Sequence, residues 1–170
     1  MRLEELNALP RREAHSALER CCGATRWVES MCARRPFADQ AALLTEAERT
    51  WRSLGSDDWR EAFADHPQIG DREALRRRFA STAAWAADEQ SSTAAATERT
   101  LAALAEGNRA YQEKFGYIFI VCATGKSAEE MLGLLEARVH NEPEIEIQIA
   151  AEEQMKITRL RLEKLLDETH

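Results

Sequence analysis

The sequence predicts an all-α protein: a single-domain bundle, residues 1–170, of about seven to nine helices with one short extended segment near 117–124. Three observations point there. Only 7 Gly and 4 Pro interrupt 170 residues, which argues against a sandwich or barrel of many short strands. Ala, Leu, Glu and Arg, all good helix formers, are abundant. Apolar residues recur at helical spacing in most segments. With 44% apolar and 31% charged residues, the chain has the composition of a folded domain.

The elements follow in order. A first helix is expected over 13–22, ended by Gly23, and a second over 25–34. The Arg35-Pro36 step stops the second, because the residue before proline disfavours helix. Asp39 begins a longer helix over 40–54, with Leu43, Leu44, Ala47, Trp51 and Leu54 in register and Gly55 at its end. Asp57 is the expected cap of a short helix over 58–65. Pro67 and Gly70 exclude ordinary helix from HPQIGD at 66–71. Helices resume over 72–80, in part of the Ala-rich stretch that follows, and over 93–115, closed by Gly116.

YIFIVCATG (117–125) is short, aromatic and β-branched, so alone it reads as a buried strand, although periodicity does not exclude a buried helix. No second strand is present to pair with it. It is therefore extended without a sheet, paired across a dimer, or helical. Ser127 with Glu130 forms a capping-box pattern for a helix bearing Met131, Leu132, Leu135 and Val139. Asn141-Glu142-Pro143 opens a last helix to about residue 167, some 25 residues long or ~38 Å. Polar Gln154, Thr158 and Arg161 are interleaved among its apolar positions, and its length offers a surface for a second subunit.

Charge and pattern exclude several classes. At net charge −7 the chain has no general attraction for nucleic acid or anionic lipid. The best apolar run, 117–123, is far short of the ~20 residues that span a bilayer. A charged N-terminal segment lacks a signal peptide's apolar stretch, so a cytoplasmic location is expected. Cysteines at 21, 22, 32 and 122 have neither Cys-x-x-Cys spacing nor zinc-finger histidines. They read as buried thiols, and no metal site is expected.

Candidate chemistry is sparse. ATGKS at 123–127 imitates the end of a phosphate loop but has Ile120 where that motif needs its first Gly. Cys122 reads as a small buried residue, because a reactive thiol needs an electropositive, partly exposed setting. His66 stands at a helix end before a stiffening proline, which suits an imidazole aimed into a pocket for proton transfer; a helix-terminus cap is the competing reading. Glu89 and Gln90 lie in an Ala-rich stretch beside Trp85. A desolvated carboxylate there suits acid–base work, and a solvated one does not. Arg161 on its charged helix is equally readable as a surface ion pair.

Five segments, in order along nearly the whole chain, change that balance: CCGATRWVESMCARRPF (21–37), DDWREAFADHPQIG (57–70), WAADEQ (85–90), NRAYQEKFGYIFIVCATGKSAEEML (108–132) and IAAEEQMKITRLRL (149–162). Together they resemble the 2-oxo-4-hydroxy-4-carboxy-5-ureidoimidazoline (OHCU) decarboxylase family of urate breakdown. The resemblance implies an all-helical homodimer that uses no cofactor and converts OHCU, a small-molecule substrate, to (S)-allantoin with loss of CO₂. It implies that His66 and Glu89 are catalytic and that Pro67, Gln90 and Arg161 contact substrate. It also implies that Phe119, Ile120, Val121, Cys122 and Ala123 line the pocket with their backbone. Two positions depart from the family pattern. Gln68 replaces the Arg of HPRIG, and Ala86 occupies a substrate-contacting position where serine is common. The lost hydroxyl costs on the order of 1 kcal/mol of binding.

Two other classes compete. One is a non-catalytic helical binding module or drifted paralogue. The other is a cysteine-dependent enzyme using Cys122 with His66.

Overall fold

A computed structural model describes residues 1–66, Leu75 and 91–167. Among these the protein is helical without strands: α1 Leu3–Ala8, α2 Arg11–Glu19, α3 Thr25–Ala33, α4 Gln40–Ser53, α5 Ser56–Ala64, α6 Ser91–Phe115, α7 Ala128–Arg138 and α8 Pro143–Asp167. No helix among the described residues is long and apolar enough to cross a membrane. The chain forms two compact units, Met1–His66 with Ile149–His170, and Pro67–Gln148.

The first unit packs α1 to α5 with most of α8. Leu6, Leu18, Trp27, Met31, Leu43, Phe63 and Leu162 are buried at its centre. Indole donors tie successive helices. Trp27 Nε1 donates to Ala47 O of α4 at 3.0 Å, and Trp51 Nε1 to Ala151 O of α8 at 2.9 Å. Each uses a second lone pair on a helix carbonyl, so a buried N–H is satisfied without breaking the helix ladder.

Two contacts fix α5. Glu61 accepts from Thr25 N at 2.7 Å and from Thr25 Oγ1 at 3.0 Å. It thereby supplies the N-terminal cap that Ala24 cannot give α3. At the other end of α5, a Cβ on Gly23 would lie 2.6 Å from Asp65 Cβ. Only glycine lets the α2–α3 turn approach the last turn of α5 so closely.

The second unit packs α6 against α7 and includes the first turn and a half of α8. Residues 118–123 form neither a helix nor a strand, which removes the helical alternative for YIFIVCATG. Instead they follow Gly116, whose φ of 83° turns the chain out of α6. Tyr111 contacts the rings of Phe115, Tyr117 and Phe119, with centroids 4.6 to 5.9 Å apart.

Several expected boundaries hold. Asp39 caps α4 by accepting from Ala42 N at 2.7 Å, and Ser127 caps α7 by accepting from Glu130 N at 3.1 Å. The last helix covers its expected span. Others are corrected. α1 was not anticipated: its six residues carry one fully buried side chain, Leu6, too little to show periodicity. α2 begins at Arg11, directly after Pro10, and ends at Glu19. α5 begins at Ser56 with Gly55 as its cap, while Asp58 accepts from Gly55 N at 3.4 Å, so Asp57 is not the cap. The expected break at 66–71 is described only at His66, which lies outside α5; its remainder, the helix over 72–80 and the Ala-rich stretch lie outside the described residues, Leu75 apart.

Candidate active site

His66 directly follows the C-terminal turn of α5, its N–H donating to Phe63 O at 3.2 Å. The two contacts that anchor α5, Glu61 on α3 and Gly23 against Asp65, therefore also place His66. Its half-buried ring meets α8: Nε2 lies 2.5 Å from Gln154 Oε1. Gln154 Nε2 in turn donates to Thr158 Oγ1 at 3.0 Å. Both Gln154 and Thr158 are 1% exposed.

Residues 154, 158 and 161 fall within roughly 60° of arc on a helix of 3.6 residues per turn, and within about 10 Å along its axis. They form one polar stripe on the side of the helix that faces the core. His66 thus docks on the stripe that carries Arg161. Cys22, fully buried between α2 and α3, adjoins the same stripe. Burial pushes its thiol up to about 12, opposed in part by the Ala24 backbone and the Thr158 hydroxyl at its sulfur and by the Arg161 cation. Such a group holds its proton and does no thiolate chemistry at neutral pH.

In the second unit two carbonyls of the 118–123 segment are held by cations. Arg138 Nη1 donates to Ile120 O at 2.7 Å, and Lys126 Nζ to Cys122 O at 2.8 Å. The Arg138 guanidinium also covers the Phe119 ring, 4.5 Å from its centroid. Arg138 is fixed by Glu146, whose carboxylate accepts from the guanidinium at 2.7 Å, from Tyr111 Oη at 2.5 Å and from Asn141 Nδ2 at 3.1 Å. Ile120, Val121 and Cys122 are buried, while Phe119 and Ala123 are half-buried.

The structure therefore brings His66 and Arg161 to one helix face and gives Phe119 to Ala123 a tethered, irregular backbone. Pro67, Ala86, Glu89 and Gln90, like Gln68, lie outside the described residues. The sequence marked Gln154 and Thr158 only as polar interruptions of the last helix and Cys22 only as a buried thiol, and it did not mark Arg138 or Glu146 at all. For the first two a signal existed, since 154, 158 and 161 recur at i, i+4 and i+7. Nothing local marks Arg138 or Glu146 among the other charged helix residues.

The family model for OHCU decarboxylase matches residues 7–163. The chain belongs to the OHCU decarboxylase family. It is 40% identical over 151 residues to the uric acid degradation bifunctional protein TTL of Arabidopsis thaliana, covering 87% of this chain and 46% of that one. It is 44% identical over 59 residues to the 2-oxo-4-hydroxy-4-carboxy-5-ureidoimidazoline decarboxylase of Amia calva, covering 35% of this chain and 34% of that one. The chain thus spans less than half the length of either curated relative in these matches. The crystal structure of an OHCU decarboxylase in the presence of (S)-allantoin superposes with a TM-score of 0.70 at 36% identity, covering 88% of this chain and 96% of that one. For an OHCU decarboxylase family member, the polar stripe of α8 and the histidine docked on it are the first place to look for chemistry.

Proposed function

We propose that this chain acts as one OHCU decarboxylase-like domain, a carboxy-lyase that converts OHCU to (S)-allantoin in urate catabolism. Family membership supports the reaction class. The observation that carries the site is the docking of His66 on the stripe of α8 that bears Arg161. Breaking the carbon–carboxylate bond leaves an electron pair on carbon, delocalised into the adjoining C=N or C=O system. The substrate thus carries its own electron sink, and the reaction as proposed needs no metal or cofactor. The protein's tasks are to orient the substrate, stabilise developing charge and reprotonate one face.

Arg161 clamps an anionic or ureido oxygen through its planar fork. Glu89 polarises the substrate and tunes His66. His66 takes a proton from the substrate hydroxyl and passes it to the new carbon centre. In this reading Pro67, Ala86, Gln90 and the Phe119–Ala123 backbone contact substrate, and the working form is a cytoplasmic homodimer.

The test generates OHCU in a cuvette from urate with uricase and the hydrolase that follows it. Adding the protein speeds the decay of the ultraviolet signal and enriches (S)-allantoin. His66→Ala stays folded and loses turnover on the order of 100- to 10,000-fold, the range of general acid–base contributions. Near-normal turnover by His66→Ala removes His66 from the mechanism.

A further inference from the structure

Gln154 is nearly inaccessible, yet neither end of its amide is spent on backbone: one end meets Thr158 and the other the ring of His66. A carboxamide facing an imidazole nitrogen has two arrangements. With the oxygen toward the ring, that nitrogen must carry a proton; with the NH₂ toward it, that nitrogen must be bare.

The placement of the amide selects the first. Gln154 Nε2 donates to Thr158 Oγ1 at 3.0 Å, which turns Oε1 to the ring, 2.5 Å from His66 Nε2. A carboxamide oxygen has no proton to give, so the polarity runs from His66 Nε2–H to Gln154 Oε1 and from Gln154 Nε2–H to Thr158 Oγ1.

We infer that Gln154 is a positioning residue that holds His66 in its Nε2–H form, so that Nδ1 is the nitrogen that exchanges protons with substrate. This rests on the reading of His66 as the proton relay. In the step itself, the Nδ1 lone pair takes the proton of the substrate hydroxyl, giving imidazolium. As CO₂ leaves, the electron pair of the carbon–carboxylate bond passes into the adjoining C=N, whose nitrogen takes a proton from solvent. The Nδ1–H bond then breaks, a C–H bond forms at the neighbouring ureido-bearing carbon while the former hydroxyl carbon becomes C=O, and Nδ1 regains its lone pair. Nε2 keeps its proton throughout. An oxygen at Nε2 favours the imidazolium as well as the neutral Nε2–H ring, whereas an NH₂ there would oppose it.

The experiment uses the full chain labelled with ¹⁵N-histidine and long-range ¹H–¹⁵N correlation of the ring, with His66→Asn identifying the signal by its loss. The expected result is a protonated Nε2 and a bare Nδ1 above the histidine's titration. Gln154→Leu lowers kcat on the order of 10- to 100-fold, as loss of an outer partner to a working imidazole does, with KM little changed. Gln154→Glu still offers an oxygen and keeps the Nε2–H form. Thr158→Val leaves Gln154 in place but releases its orientation, so both tautomers appear. A wild-type His66 protonated at Nδ1 overturns the inference, as does a Gln154→Leu protein with unchanged kcat and tautomer. The two readings fail separately: normal turnover by His66→Ala ends the catalytic role, while the wild-type tautomer tests Gln154 without any variant.

Discussion

Arg138 and Glu146 form an ion pair inside the second unit, 2.7 Å apart, with side chains 8% and 0% exposed. Tyr111 and Asn141 complete the shell of the carboxylate, and Ile120 O takes the remaining arm of the guanidinium. One buried pair thus ties α6, α7, α8 and the 118–123 backbone together. Removing one partner leaves an uncompensated buried charge. Arg138→Met or Glu146→Leu alone is expected to cost about 3–5 kcal/mol in urea unfolding. The double variant is expected to lose much less than the sum of the two. Additive losses would show that the pair does not act as a unit.

Gly23 controls the end of α5. A methyl group there meets Asp65 Cβ at 2.6 Å, a distance that forces the backbone bearing His66 to shift. Gly23→Ala is expected to lower kcat on the order of 100-fold, since a displacement near 1 Å is enough for such a loss. It should also destabilise by roughly 1–3 kcal/mol through overpacking. Activity and thermal unfolding measured on one preparation check this; unchanged activity would mean that the turn yields instead of α5.

Cys22 predicts an alkaline limb of stability. Its thiol ionises near 9.0 when unfolded and at about 12 when folded. The folded state therefore binds the extra proton in that window. The contribution is fully present below pH 9 and is lost as pH rises towards 12, amounting to roughly 4 kcal/mol at 1.36 kcal/mol per pH unit. Burial raises Tyr111 as well, reinforced by Glu146 beside it, so the whole limb has one sign. Cys22→Ala should flatten urea-unfolding free energy between pH 9 and 11. The native wild-type thiol should resist iodoacetamide at pH 8 and react on unfolding.

Arg161 gives the fourth test. Lysine keeps the charge and loses the planar fork. Loss of one charge-assisted hydrogen bond, about 1.5–3 kcal/mol, corresponds to a fall of roughly 10- to 100-fold in kcat/KM for Arg161→Lys. The side chain is half-buried at the end of its stripe, so the unfolding midpoint should hardly move. Wild-type kinetics in Arg161→Lys would remove the guanidinium from substrate binding.

Much was legible in the chain itself. Helix formers, caps at Asp39 and Ser127, and the Pro143 start depend on neighbours within four residues, and they appear where local chemistry puts them. The five family segments named His66 and Arg161 but gave no reason for His66 to dock on the helix face that bears Arg161. That reason is long-range. His66 reaches α8 only because Glu61 caps α3, Gly23 admits Asp65, and Gln154 stands four residues before Thr158 and seven before Arg161 on one face. The fate of YIFIVCATG was equally undecidable locally, because a short apolar run is compatible with strand, helix or neither. Its backbone is held by Arg138 and Lys126, and the partner that anchors Arg138, Glu146, lies on another helix. Local residues set which helices form; side chains distant in sequence decided which polar groups were buried together, because a buried charge or amide is tolerated only where the fold delivers its partner.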